Sequence, residues 1–200
     1  MKKEMKKIYM TILAALLLVG LPSVAKAQHF SVKAGINFSE PKADIKTNLG
    51  YQAGLGLQWN MPMWFSIHPE LMFHVKGEQL SANATPFGLG YLELPVNIQW
   101  GPSFNDETIR IFLQGSPFIG YAISKDFKKG KDEQWEWSNI NRFEYGIGAG
   151  LGIQLWHFQI IAQYNWNFGG IASASAGKEF RELFSAANFG GYTVSLAIVF

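Results

Sequence analysis

Cysteine is absent from all 200 residues, so disulfides, thiolate metal centres and a lipid-modified cysteine anchor are excluded. After the first two dozen residues there is no apolar run of about 18 residues, which excludes an ordinary transmembrane helix. A basic stripe is missing as well. The formal net charge is +2, but the first 27 residues hold five lysines and one glutamate, leaving 12 basic and 14 acidic side chains in residues 28–200. That balance carries no electrostatic footprint for nucleic acid. Charge is scarce at 16% of residues, while 48% are hydrophobic and 15% aromatic. So much apolar surface needs a place to go.

The chain opens in the manner of a secretory signal. Lys2, Lys3, Lys6 and Lys7 form a charged head, Ile8 to Leu21 an apolar run, and Ala25-Lys26-Ala27 a small-x-small cleavage site. Residues 1–27 are expected to be removed, and residues 28–200 to form one domain. The apolar run is short for a spanning helix.

From Phe30 onward apolar residues recur with period two, as half-buried strands require. Tyr51, Ala53, Leu55, Leu57 and Trp59 alternate with Gln52, Gly54, Gly56 and Gln58. Phe65 to Lys76, Tyr91 to Trp100, Phe143 to Gln154, Phe158 to Asn167 and Tyr192 to Phe200 repeat the pattern; Phe30 to Phe38 and Ile109 to Ile123 show weaker forms. These make eight strands. Their connections alternate between short (60–63, 101–108, 156–157) and long (39–50, 77–90, 124–141, 169–190), the asymmetry of outer-membrane barrels. The predicted fold is all-β: an eight-stranded antiparallel up-and-down transmembrane barrel.

Alternation alone does not say which phase faces outward, and a soluble lipocalin-like barrel would reverse it. The polar phase, however, is mostly Gly, Gln, Asn and Ser, too sparsely charged for a soluble surface. The apolar phase carries no charge, which lipid explains, since Arg or Lys facing mid-bilayer costs about 2–4 kcal/mol. Aromatic residues gather at strand ends as two girdles, Trp59, Trp64, Trp100, Phe158 and Phe200 at one and Tyr51, Tyr121, Phe143, Trp166 and Tyr192 at the other. The cell outer membrane is the expected location, with both termini periplasmic.

Ser66-Ile67-His68-Pro69-Glu70-Leu71, closed by Lys76-Gly77, and Tyr91-Leu92-Glu93-Leu94-Pro95 resemble the paired signatures of PorT-like outer-membrane β-barrel proteins. The glycine-alternating stretch Gly146 to Gly152, Gln163-Tyr164-Asn165 and terminal Phe200 fit the same pattern, which covers essentially residues 28–200. The chain departs from the commoner pattern at His68, Asn97 and Gln99. The resemblance implies the barrel fold and a link to an outer-membrane secretion system, and it implies no particular activity.

Inward-phase charges are the candidate site. Glu70 and Glu93 lie on adjacent strands at similar depth; Lys76, Arg110, Arg142 and Glu144 share their phase, as does Lys33. Buried charges need partners, so an ion-pair network filling the lumen is expected, with Arg142 and Lys76 the partners of the glutamates. Alternating Gly146, Gly148, Gly150 and Gly152 offer no phosphate-cradling turn and make room for bulky neighbours. Ser66, His68, Glu70 and His74 line one strand face, but residues two apart are separated by nearly 7 Å, too far for a nucleophile and its base. No catalytic, metal or cofactor site is expected. Trp135 and Trp137 are candidates for binding in an outer loop. The expected role is non-enzymatic, whether structural, binding or secretion-accessory, with a lipid-modifying enzyme or narrow channel as alternatives. Expected partners are outer-membrane lipid, the insertion machinery that reads the C-terminal strand, and secretion-system or surface proteins.

Overall fold

The computed structural model describes residues 28–39, 49–78, 87–104, 108–127, 140–169 and 190–200. Strands β1 (Gln28–Ser39), β2 (Leu49–Asn60), β3 (Phe65–Glu78), β4 (Phe87–Trp100), β6 (Ile109–Phe127), β7 (Phe143–Leu155), β8 (Phe158–Asn167) and β9 (Gly191–Val199) form the wall; β5 is the two-residue Ser103–Phe104. Each wall strand is antiparallel to both neighbours. β1 pairs with β2 and with β9, and β4 pairs with β6, so the sheet closes into an eight-stranded barrel with no free edge. Closure satisfies backbone groups that lipid cannot. β5 pairs only with the start of β6, inside the β4–β6 connection.

The alternation explains the wall. Every second side chain turns outward, and Leu55, Leu71, Leu94, Leu113, Leu151 and Leu196 are exposed there. Their chain neighbours turn into the lumen, where the buried set is largely Ser, Gln, Asn, His, Glu and Lys. The molecule is therefore polar inside and apolar outside, the arrangement of a membrane barrel. Among the described residues no charged side chain lies on the outward face between the girdles.

The start of β1, the C-terminal Phe200 and the strand ends that flank the three short connections (after β2, β4 and β7) occupy one end, called here the terminus end. Phe200 N donates to Phe30 O at 2.8 Å and the rings of Phe30 and Phe200 stack at 6.3 Å, fastening the last residue beside β1. At the opposite end, the long-loop end, Tyr164 packs edge-on against Trp166 and Tyr192, each at 4.8 Å. The β4–β6 pairing shifts register between Gly90 and Tyr91. This bulge carries Lys125 opposite the fully buried Leu89 rather than outward. The signal segment 1–27 and the loop tryptophans Trp135 and Trp137 lie outside the described residues.

Candidate functional site

The lumen holds two ion clusters, each built across a glycine. In the first, β2 lies between β1 and β3, and Gly56 is paired with both Ser31 and Glu70. Because Gly56 has no side chain, groups from β1 and β3 meet over it. A Cβ there would sit 2.8 Å from Glu70 Cγ, 2.8 Å from His68 Nε2 and 2.9 Å from Ser31 Oγ. Lys33 Nζ lies 2.5 and 2.8 Å from the two Glu70 oxygens, and His68 Nε2 lies 3.3 Å from Glu70 Oε1.

The second cluster repeats the device on β4, β6 and β7. Gly120 of β6 is paired with Glu93 on one side and Glu144 on the other. A Cβ there would come within 2.7 Å of Glu144 Oε1 and 2.9 Å of Glu93 Cγ. Lys76 reaches across from β3 and bridges the carboxylates, 2.7 Å from Glu93 Oε1 and 2.9 Å from Glu144 Oε1. Its ammonium also lies 5.2 Å from the ring centres of Tyr91 and Phe118, a favourable position for a cation. His74 Nδ1 is 3.0 Å from Glu93 Oε1, and Asn167 Nδ2 donates to Glu144 Oε2 at 2.6 Å.

Between and below the clusters, amides and hydroxyls cross the lumen. Gln99 donates to Gln114 at 2.9 Å, Gln114 to Gln163 at 2.7 Å, and Ser116 to Asn97 at 2.6 Å. Nearer the terminus end, Gln159 Nε2 donates at 2.9 Å both to Gln58 and to Gln154. Below that bridge a vestibule of about 290 Å³ opens, lined by Gln58, Trp64, Phe65 and Arg110 among others. Above it the interior leaves a void of about 40 Å³, on the order of three waters.

Of the six charges expected in one network, Lys76, Glu93 and Glu144 are brought together, and Glu70 sits in the separate cluster with Lys33. The other two lie apart from these clusters. Arg142, expected beside the glutamates, is half-buried at the long-loop rim, where it donates from Nε to Ala122 O at 3.1 Å and lies over the Tyr121 ring at 4.5 Å. It precedes the first residue of β7, so its side chain starts above the carboxylates. Arg110 is at the other end, paired with Gln154 and ten residues down β6 from Gly120. At about 3.3 Å per residue that is on the order of 30 Å of strand. It donates to Trp64 O at 3.0 Å, Ser66 Oγ at 3.1 Å, and Gly101 O and Gln99 Oε1 at 3.3 Å.

The serine question also changes. Ser66 is engaged by Gln99 and Arg110, whereas Ser31, a residue the strand-face argument did not consider, stands 2.6 Å from His68 Nε2. Glu70 meets that same nitrogen, and His68 Nδ1 has no partner. A relay needs the acid on the nitrogen opposite the nucleophile. Ser31 and His68 are both 0% exposed, so no substrate reaches them in this conformation. Among the described residues, no group of three or more His, Cys, Asp and Glu side chains is arranged to hold a metal.

A family model described as an outer membrane protein beta-barrel domain matches residues 23–173, about three quarters of the chain. No curated protein matches the chain.

Proposed function

The chain belongs to the outer membrane protein beta-barrel domain family, and from that membership we propose a non-enzymatic, multi-pass protein of the cell outer membrane, exported by residues 1–27, with periplasmic termini and a plugged lumen. Its work is then done by surfaces: the long loops outside, the vestibule below and the wall within the bilayer. A secretion-accessory role of the PorT kind, by binding or scaffolding rather than transport through the lumen, is the specific reading. It accords with the paired signatures around Pro69-Glu70 and Glu93-Leu94-Pro95.

The observation that carries the plugged reading is the side-to-side continuity of the interior. Lys76 links β3 to β4 and β7, the Gln114–Gln163 bond links β6 to β8, and Gln159 links β8 to β2 and β7. A narrow barrel filled in this way leaves no aqueous path. Planar-bilayer recording of the refolded protein tests it: no steady conductance step is expected, and a stable ohmic pore refutes it. For the secretion role, loss of the protein should lower export of surface cargo without raising uptake of small hydrophilic solutes. Unchanged export refutes that part alone.

A further inference from the structure

Proline brings no N–H to a strand ladder, so it is confined to edges and irregularities. This barrel has no edge, yet three prolines stand in mid-wall: Pro69 in β3, Pro95 in β4 and Pro117 in β6. The registers show their effect. The β2–β3 ladder stops at Gly56↔Glu70 and resumes at Trp59↔Ile67, leaving Leu57 and Gln58 opposite Pro69 and His68. The β3–β4 ladder is broken between Pro69↔Val96 and Met72↔Glu93, the stretch that contains Pro95. The β4–β6 ladder is broken between Pro95↔Phe118 and Ile98↔Gly115, the stretch that contains Pro117. The other five wall seams run without a gap.

The three gaps lie side by side, in consecutive seams and at closely similar depth. Outside them are Leu71, Leu94, Val96 and Pro117, all exposed and therefore facing hydrocarbon, where no water replaces a missing peptide hydrogen bond. Inside them is the 40 Å³ void, which Glu70, Pro95, Asn97 and Ser116 help to line. One tie is visible from the lumen: Asn97 Nδ2, from the β4–β6 gap, donates at 3.0 Å to His68 O, in the β2–β3 gap, across the paired part of the β3–β4 seam between them.

We propose that the quadrant formed by β2, β3, β4 and β6 is a lateral gate, whose seams part at mid-depth and connect the bilayer with the interior void while the remaining wall stays shut. The opening faces hydrocarbon, but the void behind it is lined by Glu70, His74, Glu93 and Asn97 among others, so it admits a small bilayer-dissolved solute that carries hydrogen-bonding groups, and not an ion from either aqueous side. The inference depends on membrane insertion but not on the secretion role.

The absence of cysteine makes a direct test clean. Ser116→Cys places a thiol behind the β4–β6 gap; Ala197→Cys places one on β9, whose two seams are unbroken. Both positions are 0% exposed. Each variant is refolded into phosphatidylcholine vesicles, checked for the compact unheated gel band that marks an inserted barrel, and treated with a bilayer-dissolved aryl maleimide or a charged aqueous thiosulfonate. The Ser116→Cys variant should react with the maleimide at least tenfold faster than the Ala197→Cys variant, and neither should react with the charged reagent. Adding Pro117→Val, which restores an N–H on a lipid-facing position, should slow the maleimide reaction severalfold. Equal rates at the two positions, faster reaction from water, or no effect of Pro117→Val overturns the proposal. Hydrogen exchange of the unmodified protein gives an independent reading: Leu57, Leu71 and Val96 should exchange faster than residues at equal depth in β1 and β8. Uniform protection around the ring overturns it too.

Discussion

Replacing Lys76 by methionine removes the one ammonium shared by two buried carboxylates while keeping most of the side-chain volume. At an effective dielectric of about 20, each contact near 2.8 Å is worth roughly 6 kcal/mol of attraction before desolvation is counted. Most of that offsets the cost of burying the charges, so the measurable loss is smaller: breaking a buried pair costs about 3–5 kcal/mol. Here both Glu93 and Glu144 lose their lysine, and they flank a single glycine, with His74 beside Glu93 and Asn167 beside Glu144. Lys76→Met should therefore cost at least the upper part of that range, and more than Lys33→Met, which strips one carboxylate, Glu70. The triple change Lys76→Met, Glu93→Gln, Glu144→Gln removes the charges together and should recover most of the loss. Urea unfolding of vesicle-refolded protein, followed by the heat-modifiable gel band and tryptophan emission, measures all three. A Lys76→Met variant within about 1 kcal/mol of the parent, or a triple variant less stable than the single one, would refute the reasoning.

The glycine saddles give a second expectation: Gly56→Ala and Gly120→Ala should each cost about 1–3 kcal/mol by overpacking, whereas Gly115→Ala, with nothing within 4 Å of its added methyl, should be neutral or slightly stabilising in the same unfolding assay. Leu55→Arg or Ile147→Arg places a cation on the exposed outer face and should cost about 2–4 kcal/mol, read as lost heat-modifiable barrel in membrane fractions. Deleting Phe200 removes its stacking on Phe30 and its bond to Phe30 O, with about 1.5–3 kcal/mol of burial at stake in refolding, and a larger defect in cellular insertion if the terminal aromatic is read by the insertion machinery.

Most of the wall was legible because its physics is local. Whether Leu55 or Gly54 faces lipid depends on parity alone, and parity survives errors of a residue at strand ends. The short turns were legible for the same reason. Partnership inside the lumen was not. Lys33 and Glu70 are 37 residues apart and not on neighbouring strands; they meet because Gly56 leaves the intervening strand bare, a fact that needs both registers at once. Arg142 has the same inward parity as Glu144, yet it stands outside the strand and lies on Tyr121. The bulge at Gly90/Tyr91 likewise reverses parity toward the loops, which no count from mid-strand foresees. Asn97 and Gln99, noticed only as departures from a family pattern, turn out to be members of the cross-lumen amide chain.

The placement of the ion clusters makes sense together with the prolines. In a fully laddered barrel, cross-lumen bonds would add little to a wall already held by its backbone. Here the backbone is interrupted in three consecutive seams, and the side chains cross those same seams. Lys33–Glu70 and Ser31–His68 tie β1 to β3 over the β2–β3 gap. Lys76–Glu93 and the Asn97 bond to His68 O tie β3 to β4 around the gap at Pro95. Ser116–Asn97 ties β6 to β4 at the gap beside Pro117, and Lys76–Glu144 spans from β3 to β7 behind both. Backbone ladder bonds form with the strands and cannot be exchanged singly, whereas a side-chain tie lets go when one group rotates or changes charge. A wall held in this quadrant by side chains is thus closed without being welded, and the ion clusters act as its latch. The charges that fill the lumen and the prolines that weaken the wall are two parts of one construction, because the costly burial of three glutamates and two lysines is placed where the backbone supplies least.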